Sequence, residues 1–124
     1  MPAWTDDVSL SDETLLWRRV HPSMFSLDAG GTRRVTSFAF KSPDDQLSMD
    51  VSTETTLEKM LAAGFPGQVV IGIKVGLLRE LGYIVARDPE PDNPAHVLVI
   101  PKPGKSKNQK HRDRQVMALN AVLQ

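Results

Sequence analysis

The chain has no cysteine among its 124 residues. That excludes disulfides, cysteine-ligated zinc, iron–sulfur clusters and thiol nucleophiles together, and it fits a reducing compartment. No apolar run approaches the roughly 18–20 residues that a membrane helix needs, so no membrane partner is expected. Met1 to Leu10 holds Asp6 and Asp7 and no basic residue. A secretory signal starts basic and turns apolar, so a cytoplasmic location is the expectation. Phosphate-cradling loops are missing too: Gly64, Gly67, Gly72 and Gly76 fit neither GxGxxG nor GxxxxGK[ST]. There is no GxSxG elbow and no HExxH. No cofactor and no metal site is therefore expected.

What is present describes one domain. At this length a chain buries about two-thirds of the surface it exposes when unfolded. The 40% hydrophobic and 24% charged fractions are those of a globular protein. Formal net charge is zero but unevenly placed. Through Pro101 there are nine Lys and Arg against fourteen Asp and Glu; from Lys102 onward there are six against one. A basic end of this kind can be an interaction tail.

The pattern of residues suggests the elements. Residues 1–10 are expected to form a flexible tail, leaving a single domain over 11–124. Thr14–Val20 fits either a helix after Ser11 or a strand by alternation, and the strand is favoured; His21-Pro22 ends it. Asp28–Gly31 is a turn. Arg33–Lys41 reads as a strand with Thr36, Phe38 and Phe40 facing the core. After the turn Ser42–Asp45, Gln46–Thr53 reads as a half-buried strand with Leu47, Met49 and Val51 inward, and the two runs are expected to pair as a hairpin. Thr53–Ala63 reads as a helix capped by Ser52 or Thr53, with Leu57, Met60 and Leu61 as its apolar stripe and a left-handed Gly64 as its stop. Strands over 69–75, 83–86 and 96–100, a short helix over 75–81, a basic loop over 101–111 and a C-terminal helix bearing Val116, Leu119 and Leu123 complete the pattern. Hairpins early and helices later predict an α+β fold with a mostly antiparallel or mixed sheet and about three helices.

Three groups of residues carry candidate chemistry. In Arg18–Pro22, the planar fork of Arg18 pairs with phosphate or carboxylate, and His21 can exchange a proton near neutral pH. His96 stands where a loop enters a strand, on a rigid base; meeting His21, it would make an acid–base pair. Ser48 and Asp50 share a strand face, with Ser37 expected beside them. A serine nucleophile also needs a base and an oxyanion hole, and neither is visible. Each of these has a plain structural reading as well: solvated charge, a satisfied histidine, the polar face of a sheet. The basic segment Lys102, Lys105, Lys107, Lys110, Arg112 and Arg114 can attract phosphate backbones. No aromatic interleaves it for stacking on bases, so nucleic acid is possible but not favoured.

LLWRRVHP, TSFAFK, LSMDVS and RDPEPDNPAHVLVIPK follow one another from Leu15 to Lys102. In that order they resemble a family of small uncharacterised bacterial proteins. The resemblance implies a bacterial origin and one complete domain, and implies no activity. An early arginine and a serine-bearing strand are also similar to the start of ADP-ribosyltransferase-like toxins, but the later NAD-orienting residues are not found. The leading expectation is an accessory or regulatory module with a protein partner of unknown identity. The alternatives are a small nucleotide- or phosphoester-acting enzyme using Arg18, His21 and His96, and nucleic-acid binding through residues 102–114.

Overall fold

The computed structural model describes residues 4–124 and is an α+β fold. The elements are β1 (Leu15–Val20), β2 (Phe25–Leu27), β3 (Arg33–Val35), β4 (Leu47–Val51), α1 (Leu57–Ala63), β5 (Val69–Lys74), α2 (Val75–Glu80), β6 (Tyr83–Arg87), β7 (His96–Pro101), α3 (Lys107–Asn120) and β8 (Val122–Leu123). Six strands form one sheet in the order β6-β7-β4-β1-β5-β8; β2 and β3 form a separate ribbon. Every strand pairing among the described residues is antiparallel.

Alternation along the strands gives the sheet two different faces. Leu16 opposes Val51 on one side and Ile73 on the other, and Leu47 opposes Val99, which opposes Val85. These buried side chains join Val75 and Leu78 of α2, Met117 of α3 and the turn residues Ala39 and Phe40 in one apolar cluster. The other face carries Trp17, Asp50 and His96.

The N-terminal segment is tied down, against the expectation of a flexible tail over 1–10. Met1–Ala3 lie outside the described residues. Beyond them, the Asp7 amide donates to the Val85 carbonyl (2.8 Å) and the Val85 amide donates to Asp6 Oδ1 (2.9 Å). The segment thus covers the open edge of β6, the kind of edge that otherwise invites pairing with another chain. Arg79 clamps it, donating to Asp6, Asp12 and the carbonyls of Asp7 and Leu10. Arg87 bridges Asp7 and Glu54. Leu10 is buried.

Several expectations are corrected. Arg33–Lys41 is not one strand: β3 stops at Val35, and Ser37–Phe40 is a 3₁₀ turn. β3 pairs with β2 and not with β4, whose two edges belong to β1 and β7. With no free edge to extend against, the chain turns, leaving Phe38 exposed while Ala39 and Phe40 go inward. α1 starts at Leu57 because Thr56, not Ser52 or Thr53, accepts the amide of Lys59. Of its predicted stripe only Met60 is buried. Gly64 is extended, not left-handed (φ −98°). It is needed for closeness: a Cβ there would lie 2.8 Å from Arg19 Cδ and closer still to the Gln68 amide. The basic loop over 101–111 ends at Ser106, where a capping box with Gln109 starts α3 at Lys107. The inward residue of α3 is Met117; Leu119 is exposed, and Leu123 belongs to β8.

Two outcomes follow. Arg79→Met should remove about 2–3 kcal/mol of stability, as expected for charge-assisted hydrogen bonds, measured by urea denaturation. A loss below about 0.5 kcal/mol would contradict the clamp. The Asp7 carboxyl is held down at about 2, first by the Ser9 hydroxyl and then by Arg87. Its stabilising effect is complete above the ordinary value of 3.8 and is lost as the pH falls toward about 2. Asp7→Asn should flatten that acid limb of a stability-versus-pH curve and leave the curve's shape unchanged above about pH 5.

Candidate functional site

One register of the sheet collects the polar side chains. His96 on β7 opposes Asp50 on β4, Asp50 opposes Trp17 on β1, and Trp17 opposes Gly72 on β5. Opposed residues on antiparallel strands point to the same face. Trp17 packs beside Gly72, where a Cβ would crowd the Gln124 side chain (2.7 Å from Nε2); Trp17 Nε1 donates to Gln124 Oε1.

The β1–β4 ladder lasts only two residue pairs. Beyond it, Arg18 fills the gap, donating from Nε to the Ala39 carbonyl (2.6 Å) and from Nη1 to the Ser48 carbonyl (2.8 Å). Burial, and then the neighbouring Arg19 charge, lower its pKa from the ordinary value. Arg19 reaches back to the Met60 carbonyl (3.3 Å), joining β1 to α1. Neither arginine has a carboxylate within ion-pair distance among the described residues.

Facing them, Asp50 is only 5% exposed and accepts a hydrogen bond from Asn93 Nδ2 (2.9 Å). Asn93 is held by a tight turn in the β6–β7 connection, where Glu90 and Asn93 exchange main-chain hydrogen bonds. The same connection positions Asp88, whose carbonyl and carboxylate lie 3.0 and 3.1 Å from His96 Nδ1. Both of those oxygens accept, so Nδ1 is the donor and Nε2 is left for a ligand.

Between these groups is a cavity of about 360 Å³, lined among others by Trp17, Arg18, Arg19, Ser48, Asp50 and His96. A second cavity of about 300 Å³ shares Arg19, Asp50, Met60, Glu90 and Asn93 with it, so the two form one cleft. Of the residues singled out from sequence, Arg18, Ser48, Asp50 and His96 line this cavity. His21 does not: its Nδ1 accepts from the Ser23 amide (3.0 Å) and caps a 3₁₀ turn. The reading that pairs His21 with His96 loses His21. Ser37 sits in the 3₁₀ turn, away from Ser48 and Asp50. Sequence reasoning missed Trp17, Arg19 and Asp88. The first two lie at i±2 on one strand face, but that signal means nothing until the register with β4 is known.

The basic segment is divided. Lys105 pairs with Asp113 (2.9 Å) and Lys110 with Asp45 (2.7 Å). Asp113 also accepts from the Tyr83 hydroxyl, whose pKa is raised by burial and then by the Asp113 charge. Lys102, Lys107 and Arg112 are exposed, and Arg114 is half-buried. Elsewhere, Leu57, Leu61 and Leu123 border a shallow apolar groove of about 160 Å³. No helix among the described residues is long and apolar enough to cross a membrane. No group of three or more His, Asp and Glu among them is placed to hold a metal ion.

No family model, curated protein or solved structure matches this chain. Its chemistry is therefore read from the cleft itself. Nitrogen-15 NMR of His96 should show the Nδ1–H tautomer, and Asp88→Asn should retain it because the Asp88 carbonyl remains. An Nε2–H tautomer in the unaltered protein would contradict the arrangement.

Proposed function

We propose that the cleft binds a small phosphate-bearing molecule, with Arg19 facing the phosphate, Arg18 in the cavity wall and His96 beside it. One observation carries this reading: two adjacent arginines line the cavity and neither forms an ion pair among the described residues, although Asp50 and Glu90 line it as well. Buried charge is costly unless paired, and a guanidinium fork matches phosphate oxygens. Arg18 has spent Nε and one Nη1 hydrogen on carbonyls, and Arg19 one Nη1 hydrogen. Each guanidinium has five N–H donors in all, so both retain donors for a ligand. His96, with Nε2 unengaged, gives the site a further hydrogen-bonding group.

The apolar groove beside α1 supports the accessory, protein-binding role. The cleft is the stronger candidate because its polar groups converge and Asp50 among them is buried, whereas the groove is shallow and its leucines are partly exposed.

Calorimetric titration with phenyl phosphate tests the proposal. Binding is expected, with Arg19→Gln weakening it at least tenfold, about 1.4 kcal/mol. Lys107→Ala, on the exposed basic face, should leave it unchanged. Equal loss in both variants, or no binding by the unaltered protein, would overturn it.

A further inference from the structure

We infer that the phosphoester is rich in hydroxyl groups, of the sugar-phosphate class, and that Asp50 and Asn93 recognise its hydroxyls. This rests on the phosphate reading above and adds what binds at the other end of the cleft.

Asp50 carries the argument. It is the buried charged residue among the described ones, and the partner that holds it is the neutral amide of Asn93. No Lys or Arg lies within ion-pair distance of it. An ionised carboxylate has about four acceptor sites, and one amide hydrogen uses one of them. The remaining sites call for donors. Asn93 lends Asp50 one Nδ2 hydrogen and keeps a second hydrogen and its Oδ1. Asp50 and Asn93 together therefore offer acceptors and a donor side by side. Neighbouring hydroxyls match this, since each both donates and accepts.

The spacing favours a compact ligand. Trp17 directly opposes Asp50, and Arg19 lies two residues along the same strand face. Diagonal neighbours of that kind have backbones about 7–8 Å apart, which favours a compact ligand. Trp17 neighbours both residues on this face, lines the cavity and offers apolar surface for the C–H groups of a ring. His96, opposite Asp50 in register, borders the same hydroxyls.

The test is calorimetry with ribose 5-phosphate, phenyl phosphate and inorganic phosphate on the full chain. Ribose 5-phosphate should bind at least tenfold more tightly than either of the others. Asp50→Asn, close in shape, should bring the ratio of ribose 5-phosphate affinity to phenyl phosphate affinity down to about one. Asn93→Ser, on the surface loop, should show the same loss in smaller measure and covers the case in which Asp50→Asn fails to fold. If phenyl phosphate binds as tightly as ribose 5-phosphate, or the preference survives in both variants, the hydroxyl assignment falls while the phosphate reading stands. If none of the three binds, both fall.

Discussion

The cross-strand register at Asp50 is the constraint on which the site depends. With His96 on one side and Trp17 on the other, the carboxylate, the imidazole and the indole share a face. Slipping β4 by one residue would turn Asp50 toward the apolar cluster and Met49 toward the cleft. The burial of Leu47, Met49 and Val51 on the opposite face prevents that slip. Core packing and site geometry are thus two sides of one strand. Residues that contribute nothing to binding fix the positions of those that do.

The arginines divide by partner. Arg79 and Arg87 are paired with carboxylates, and together they fasten the N-terminal segment to the edge of β6 and to Glu54. Lys105 and Lys110 likewise answer Asp113 and Asp45. Arg18 and Arg19 are different: they bond only main-chain carbonyls. Carbonyls satisfy hydrogen bonding and leave the charge uncompensated. The unpaired arginines of the cleft are half-buried, whereas the unpaired Lys102, Lys107 and Arg112 of the C-terminal segment are exposed to solvent.

Much of this was legible in the sequence where alternation or a turn stood alone. β1 and β4 follow from period-two alternation, β5, β6 and β7 from short apolar runs, and the short α2 from its stop at Gly82. The Arg33–Lys41 run misled because its β propensity is real but β4, its expected partner, already lies between β7 and β1. Ser106-x-x-Gln109 is a capping box in plain sight, hidden by reading the cluster of lysines as a loop. Arg18, Ser48, Asp50 and His96 could be named as candidates from residue type and position. Their convergence could not, because it depends on which strands pair. His21 looked equivalent to His96 in sequence, and only local geometry separates a histidine capping a turn from one held by Asp88.

The central claim is that open positive charge at this cleft binds phosphate. The most direct measurement is an amide chemical-shift map of isotopically labelled protein titrated with inorganic phosphate. The account predicts saturable shifts grouped at Trp17–Arg19, Ser48–Asp50 and Asn93–His96. Shifts confined to Lys102–Arg114, or none that saturate, would contradict it.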